Sequence, residues 1–395
     1  MLIPDISGFL YHAWLASALL PPDITQKCMN EFQTPERVFQ SIIIQKNKPD
    51  FIPPAGLNTL IRNSSEDLLL HLNEMLMQHQ IKAITINDSY YYPSSLSQIE
   101  NPPAILFYQG NIQCLKNRML AMVGSRVASY DGEKAARKIA RELSREGVSI
   151  ISGMAGGIDS ASHTGCIEGG TPTIAVTGCG LDIVYPAGNV KLRDEILKSN
   201  GLLLSEYAPG EKPVGWHFPF RNRIITGIGY ALIVIEAKIR SGTMTSVQHA
   251  LNQGKDVFVY PGNPASQYCE GNHQLLREGA LYFTTSADIL EDLRWLDNRE
   301  IIGQNSVCSD KTEPTLTPDE ETVFSILKPG RLSFEQIADK SKLSPAALMS
   351  TLTMLQIKGS IEALPGKQYQ LKESNFQSDS EASNNGHHKT ETDYR

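Results

Sequence analysis

Two glycine-rich turns carry the residues best suited to chemistry in this 395-residue chain. The first is Gly124-Ser125-Arg126, which follows the apolar run Met119-Leu120-Ala121-Met122-Val123 and precedes a helix starting after Asp131-Gly132. The second is Ser152-Gly153-Met154-Ala155-Gly156-Gly157-Ile158-Asp159, between the apolar run Val148 to Ile151 and another helical stretch. Strand, glycine turn and helix start, in that order, make an anion site: the backbone can approach a phosphate closely and the first amides of the helix point at it. Two such turns in one βαβ unit lie side by side at the carboxyl edge of a parallel sheet, where ligands bind. Neither turn reads GxGxxG, so no dinucleotide cofactor is indicated, and none of any other kind is expected.

Later turns should collect on the same edge. They supply Gly178-Cys179-Gly180 with Tyr185-Pro186, Lys238 with Arg240-Ser241-Gly242-Thr243, and Pro261-Gly262-Asn263. Phe220-Arg221-Asn222-Arg223 adds two arginines at a helix start. This basic, hydroxylic inventory suits repeated phosphates better than a single polar metabolite.

Catalytic constellations are poorly represented. Asp159 and His163 stand four apart on one helix face, but no further ligand lies in register, which favours a capping aspartate and a packed histidine over a metal pair. Ser125 and Ser152 lack the GxSxG elbow of a serine nucleophile. Glu236 and Glu206, each at a strand end, are candidate bases, although orienting Arg221 or Arg223 by ion pairing is the preferred reading. Trp216 and His217 either stack on a base or fill the sheet edge.

The elements that must position these residues are legible as patterns. Strands are expected at 82–86, 105–108, 119–123, 148–152, 172–177, 202–205, 232–236, 256–260 and 281–283. Helices are expected at 131–146, 159–168, 190–199, 220–229, 244–253, 273–278 and 286–293. Runs such as Leu232-Ile233-Val234-Ile235 do not alternate, as befits strands covered on both faces, so the fold class is α/β with a doubly wound, mostly parallel sheet. Residues 1–80 read as a helical N-terminal module, 81–296 as the sheet domain and 297–316 as a polar linker. Over 317–372, three helices and a hairpin around Pro365-Gly366 make a C-terminal winged helix, and the tail 373–395 is expected to be disordered.

Composition sets the outer limits. With 41% hydrophobic and 20% charged residues the chain reads as soluble and globular. No apolar run has membrane-spanning length, and the start lacks the basic flank of a signal peptide. Six scattered cysteines without a CxxC pair suit reduced thiols in the cytoplasm and speak against a zinc site, so no metal is expected. A net charge of -7 excludes an evenly basic surface, yet permits a local basic groove.

The ordered motifs resemble one family. Met122-Val123-Gly124-Ser125-Arg126, Ile151 through Asp159, Gly180-Leu181-Asp182 through Tyr185-Pro186 and Asn189, Ser205-Glu206-Tyr207, Phe220 through Ile225, Glu236 with Ser241-Gly242-Thr243, and Tyr260-Pro261-Gly262 with Gly271-Asn272 look like the bacterial DNA-processing protein A family (DprA/Smf). The resemblance spans about Tyr92 to Leu290. It implies a Rossmann-like sheet, a SAM-like N-terminal module, and a protein that binds and protects incoming single-stranded DNA in natural transformation. It further implies a homodimer through the Rossmann-like domain that loads the RecA recombinase onto DNA covered by single-strand-binding protein, with no catalytic turnover. The DNA or phosphate site so implied comprises Gly124, Ser125, Arg126, Ser152, Gly153, Gly156, Gly157, Arg221, Asn222, Arg223, Lys238, Arg240, Ser241, Gly242 and Thr243, with Lys238 and Arg240 as alternatives for one basic contact. Three features depart from the family pattern, the first being Thr243-Met244 after Gly242, where the family more often has a Thr-Ala pair. Glu270 brings a negative charge near the groove, and Leu20-Pro21-Pro22-Asp23 replaces a glycine hairpin in the N-terminal module. The alternative function is a nucleotide phosphoribohydrolase-like enzyme, although its PGGxGT turn is missing.

Overall fold

Met119–Val123 is apolar at every position and buried at every position, which makes it a strand that only the interior of a two-sided sheet can hold. In the computed structural model, which describes residues 6–300, 318–328, 330–357, 361–364 and 368–371, that strand lies inside a nine-stranded sheet. The chain divides into two units, Met1–Gly303 and Gln304–Arg395.

The first unit opens with helices α1 (Leu10–Ser17), α2 (Pro22–Phe32), α3 (Pro35–Phe39), α4 (Pro54–Arg62) and α5 (Glu66–Gln78). Then follow β1 (Lys82–Thr85), α6 (Ser94–Ser97), β2 (Ile105–Gly110), β3 (Met119–Val123), α7 (Tyr130–Arg145), β4 (Ser149–Ser152) and α8 (Ile158–Gly169). The remainder is β5 (Ile174–Val176), α9 (Val190–Lys198), β6 (Leu202–Ser205), α10 (His217–Ile228), β7 (Leu232–Val234), α11 (Gly242–Asn252), β8 (Val257–Val259), α12 (Glu270–Arg277), β9 (Leu281–Tyr282) and α13 (Ser286–Glu300). Each expected strand is present: β3 and β6 keep their expected bounds, β2 runs on to Gly110, and the others are trimmed by a residue or two where the chain turns out of the ladder. Helix α10 starts earlier than expected, at His217, because Pro219 suits a first helical turn, where its missing N–H costs nothing. Helix α13 runs on to Glu300, into the stretch read as linker; 301–317 lies outside the described residues.

The strand order is β1-β2-β6-β5-β4-β3-β7-β8-β9. All pairings from β6 to β9 are parallel, while β1–β2 and β2–β6 are antiparallel. The α/β, doubly wound and mostly parallel reading therefore holds, with an antiparallel edge added. Strands β4, β5 and β6 follow β3 to one side, and β7 then returns to its other side. Between β3 and β7 the winding reverses, and a crevice opens there at the carboxyl ends of the strands.

The N-terminal helices, expected as a module of their own, share this unit with the sheet. One apolar cluster joins Trp14, Leu60 and Leu76 to Phe107, Ile196 and Leu203. The indole of Trp14, fully buried, donates to the carbonyl of Leu60 at 3.0 Å and meets the Phe39 ring edge-on.

In the second unit α14 (Pro318–Leu327), α15 (Phe334–Ser341) and α16 (Pro345–Ile357) accompany a three-stranded antiparallel sheet of β10 (Leu332–Ser333), β12 (Gln368–Leu371) and β11 (Ile361–Leu364), in that order. This is the expected winged helix with one more short strand. The core is Val323, Leu327, Ile337, Leu348, Leu352 and Leu355, and a capping box of Ser333 and Gln336 starts α15. The hairpin turn at Pro365-Gly366 and the tail lie outside the described residues.

Candidate functional site

The crevice at the winding reversal is an open cleft of about 470 Å³. Its walls come from the β3–α7 turn (Gly124, Ser125, Arg126, Val127), the segment after β7 (Lys238, Ser241, Gly242, Thr243), and α10 (Arg221, Asn222, Ile225), with Ala155 and Asp159 from the β4–α8 turn. The topology thus brings together residues that are more than a hundred positions apart in sequence.

The two glycine turns hold each other. The amide of Ile158 donates to the carbonyl of Ser125 at 3.2 Å. Gly157 sits at φ +69°, against the Ser125 and Arg126 carbonyls, where a side chain would be both strained and obstructed. Ser125 donates its hydroxyl to the Val127 carbonyl at 2.7 Å, closing its own turn. Arg126 is exposed, its guanidinium carbon 5.1 Å from the centre of the Phe218 ring, which in turn lies 5.1 Å from Tyr185. Lys238, which also lines the cleft, is exposed with its Nζ 5.0 Å from the centre of the Tyr268 ring. Both cations are therefore presented to solvent on aromatic supports.

Arg221 is different: it forms the floor. Its side chain is 3% exposed, and its Nη1 donates to the carbonyls of Gly153 (2.8 Å) and Val176. A Cβ on Gly153 would come within 2.6 Å of the Arg221 Nη2 and 2.7 Å of the Asp159 Oδ2, so that glycine makes room for the arginine. Burial pushes the Arg221 guanidinium down to about 10, against the pull of Asp159. Burial likewise pushes the Asp159 carboxyl up, opposed by Arg221 and by the Ala155 amide, which donates to it at 3.3 Å. Asp159 and Arg221 thus leave a floor of low net charge beneath two exposed cations.

Arg223 does not reach the cleft. It is 2% exposed, donates to both oxygens of Glu206 at 2.7 and 2.8 Å and to the Asn101 carbonyl at 2.9 Å, and stacks on Phe220. Glu206 therefore orients an arginine, as expected. Glu236 does not: its carboxylate accepts from the Ser129 amide at 2.9 Å and from the Ser129 hydroxyl, fastening the start of α7 to the end of β7. The reason is the length of the β7 strand, which ends at Val234 and leaves Glu236 beneath α7 rather than beside α10.

The other expected residues divide as follows. Ser152 is buried and donates to the Met122 carbonyl at 2.6 Å. Asn222 accepts from the Arg221 Nε at 3.2 Å and lines the cleft, as do Ser241, Gly242 and Thr243. Of the two alternative basic residues, Lys238 lines the cleft and Arg240, though exposed, does not. Gly156 is not among the lining residues, and Gly157 faces a neighbouring groove between α7 and α8. Glu270 is exposed in the first turn of α12 and lines no part of the cleft.

His163 is fully buried, its Nδ1 2.8 Å from the Thr173 hydroxyl, and burial pushes it down to about 3. Asp159 and His163 are thus a helix-start carboxylate and a packed histidine. His217 is buried against Tyr207, rings stacked at 3.9 Å, while its neighbour Trp216 is 57% exposed. Phe218 and Tyr268, the aromatic supports, had no sequence signal of their own; Ser246, which also lines the cleft, has only its place one turn into α11.

The comparisons with known proteins agree with this architecture. The family model described as DNA recombination-mediator protein A matches residues 82–294, and that of the DprA winged helix domain matches 309–367. The Protein Smf of Escherichia coli (strain K12) is 33% identical over 318 residues, covering 79% of this chain and 82% of that protein. This chain belongs to the DNA recombination-mediator protein A family. Another member, the DNA processing protein DprA of Streptococcus pneumoniae, is 45% identical over 204 residues, covering 52% of this chain and 72% of that protein. Its X-ray structure superposes with a TM-score of 0.62 at 35% identity, covering 74% of this chain and 98% of the other. The Helicobacter pylori DNA processing protein A, described for its single-stranded DNA binding mode, has a TM-score of 0.50 at 28% identity, covering 55% of this chain and 97% of the other. Among the described residues no helix is long and apolar enough to cross a membrane.

Proposed function

We propose that this chain binds single-stranded DNA in the cleft between β3 and β7, protects incoming strands in natural transformation, and hands them to the RecA recombinase as a homodimer in the cytoplasm. The observation that carries the reading is the pair of exposed cations, Arg126 and Lys238, both lining a cleft at the winding reversal. A strand laid there places successive phosphates against these two groups and the Ser241 to Thr243 helix start. The exposed ring of Tyr185, packed on Phe218 beneath Arg126, offers a face on which a base can stack, a contact worth roughly 1–3 kcal/mol per base and indifferent to sequence. Glycine turns keep the walls low enough for the backbone to enter.

The chain acts without turnover in this reading. Glu236, the candidate base of a nucleotide hydrolase, has both oxygens engaged by Ser129 and is buried away from the cleft. Asp159, the carboxylate on the cleft floor, lies beside Arg221 and accepts a backbone hydrogen bond. The test is a titration of the full chain with single-stranded and duplex oligonucleotides at several salt concentrations. Preferential single-strand binding, weakened in Arg126→Ala and Lys238→Ala, supports the proposal. Unchanged affinity in both well-folded variants rejects the cleft, and hydrolysis of nucleoside monophosphates, abolished by Glu236→Gln, would support the enzyme instead.

A further inference from the structure

A second groove, of about 580 Å³, lies between α7 and α8 and begins at Gly157. Helix α7 is amphipathic in a strict sense. Ala136, Ile139, Ala140 and Leu143 face the core at helical spacing, and Lys134, Arg137, Lys138 and Arg141 repeat the same spacing along the groove. Four cations against one carboxylate, Glu133, line it. Glu142 and Glu168 stand at its margins. Lys138 lies 3.8 Å from Glu142, Arg141 lies 4.0 Å from Glu168, and Arg137 pairs closely with Glu168. Lys134 makes no ion pair among the described residues. The Lys138–Glu142 and Arg141–Glu168 pairs are long and partly exposed, so each is worth no more than about 1 kcal/mol and yields to a competing polyanion, whereas Arg137 holds Glu168 through both its Nε, at 3.0 Å, and its Nη2.

The opposite wall, Ser160 and Thr164, donates its hydroxyls to the Ala155 and Ser160 carbonyls, which leaves the α7 cations as the donors. Tyr130, 79% exposed, adds an aromatic face at the start of α7. The groove and the β3–β7 cleft share a wall. Gly157 lines the groove, and the backbone carbonyls it touches belong to Ser125 and Arg126, which line the cleft.

We propose that a single strand held in the cleft continues over the Gly156–Gly157 turn and along the α7–α8 groove, its phosphates taken by Lys134, Arg137, Lys138 and Arg141. This extends, and rests on, the single-strand reading of the cleft. From Lys134 to Arg141 the helix rises roughly 10 Å, about three phosphate spacings at the roughly 3.4 Å of one stacked strand. The glycine pair is then a low saddle between two phosphate tracks, its closeness to the Ser125 and Arg126 carbonyls set by packing against the neighbouring turn.

The experiment compares oligo-thymidines of about six and about twenty nucleotides, one near the lower end of and one beyond the roughly 4–16 nucleotides that a single OB-fold site covers, binding to the full chain and to Lys134→Ala/Lys138→Ala. Both lysines are exposed, and thermal unfolding checks that the fold is kept. The expected result is unchanged affinity for the short oligomer, a several-fold loss for the long one, and a salt slope for the long one smaller by roughly 1.4, at 0.7 per lost contact. Two outcomes overturn the inference while leaving the cleft intact: the same long-oligomer affinity and slope as wild type while Lys238→Ala weakens both lengths, or equal weakening of both lengths by the lysine pair. Failure of the wild type to bind either oligomer overturns both readings together.

Discussion

Arg126 and Lys238 on the cleft lining and Arg221 and Arg223 deeper in the fold are four cations in opposite environments. The lining pair is exposed, stands on single aromatic rings and makes no ion pair among the described residues. The deeper pair is almost wholly buried and fully engaged, one with backbone carbonyls and the other with Glu206. A buried guanidinium whose N–H groups are already taken by carbonyls or a carboxylate supports the scaffold, whereas a cation presented to water over an aromatic face is free to meet a phosphate. The lesson is that a basic residue in a family motif can serve the site by shaping it.

The largest expected effects break that contrast from below. Arg223→Ala leaves Glu206 without its partner in a mostly buried place and should cost about 3 kcal/mol in urea unfolding, the lower end of the cost of splitting a buried pair. The double change Glu206→Ala/Arg223→Ala should recover part of that loss. Arg221→Ala strands two buried carbonyls and should cost roughly 2–3 kcal/mol; equal stability to wild type in either arginine variant would remove the distinction.

The next effect separates the regions by pH. His163 is held down to about 3 in the folded chain, whereas the unfolded chain takes up its proton near pH 6.5. Between these values the unfolded state binds more protons, so stability rises with pH and is lost as pH falls from about 6.5 toward about 3, by roughly 2 kcal/mol at about pH 5. Asp159, whose carboxyl is pushed up, acts in the opposite sense, so the readout is the change of slope in His163→Gln, whatever its absolute stability. An identical slope in that variant would show that the histidine is not the group responsible.

The smallest effects sharpen the contrast from above. Arg126→Ala and Lys238→Ala should leave unfolding within about 0.5 kcal/mol of wild type, yet each should lower the salt slope of single-strand binding by roughly 0.7. A stability loss comparable to that of Arg223→Ala would place the cleft-lining cations with the scaffold.

Much of this was legible in the chain itself. Buried strands announce themselves by unbroken apolar runs, and Val-Gly-Ser-Arg after β3 could only be a turn at a sheet edge. Helix α7, expected at 131–146, is found at Tyr130–Arg145; its Ser129 cap, whose hydroxyl accepts from the Gly132 amide at 3.0 Å, came only with the structure. What stayed hidden involves partners distant in sequence. Arg221 and Arg223 look alike as neighbours in Phe220-Arg221-Asn222-Arg223, but one bonds back to Gly153 and Val176 and the other to Glu206 and Asn101. Likewise Glu236 is claimed by Ser129 rather than by an arginine, and the N-terminal helices spend their apolar faces on the sheet.

Hydrophobic period and backbone permissiveness act over a few residues, which is why the succession of strands and helices, the glycine turns and the family can be read along the chain. Only the tertiary structure decided which cations meet solvent, because burial depends on how strands far apart in the chain are brought alongside one another. The winding reversal between β3 and β7 opens the cleft, and the side chains that happen to face it become its chemistry.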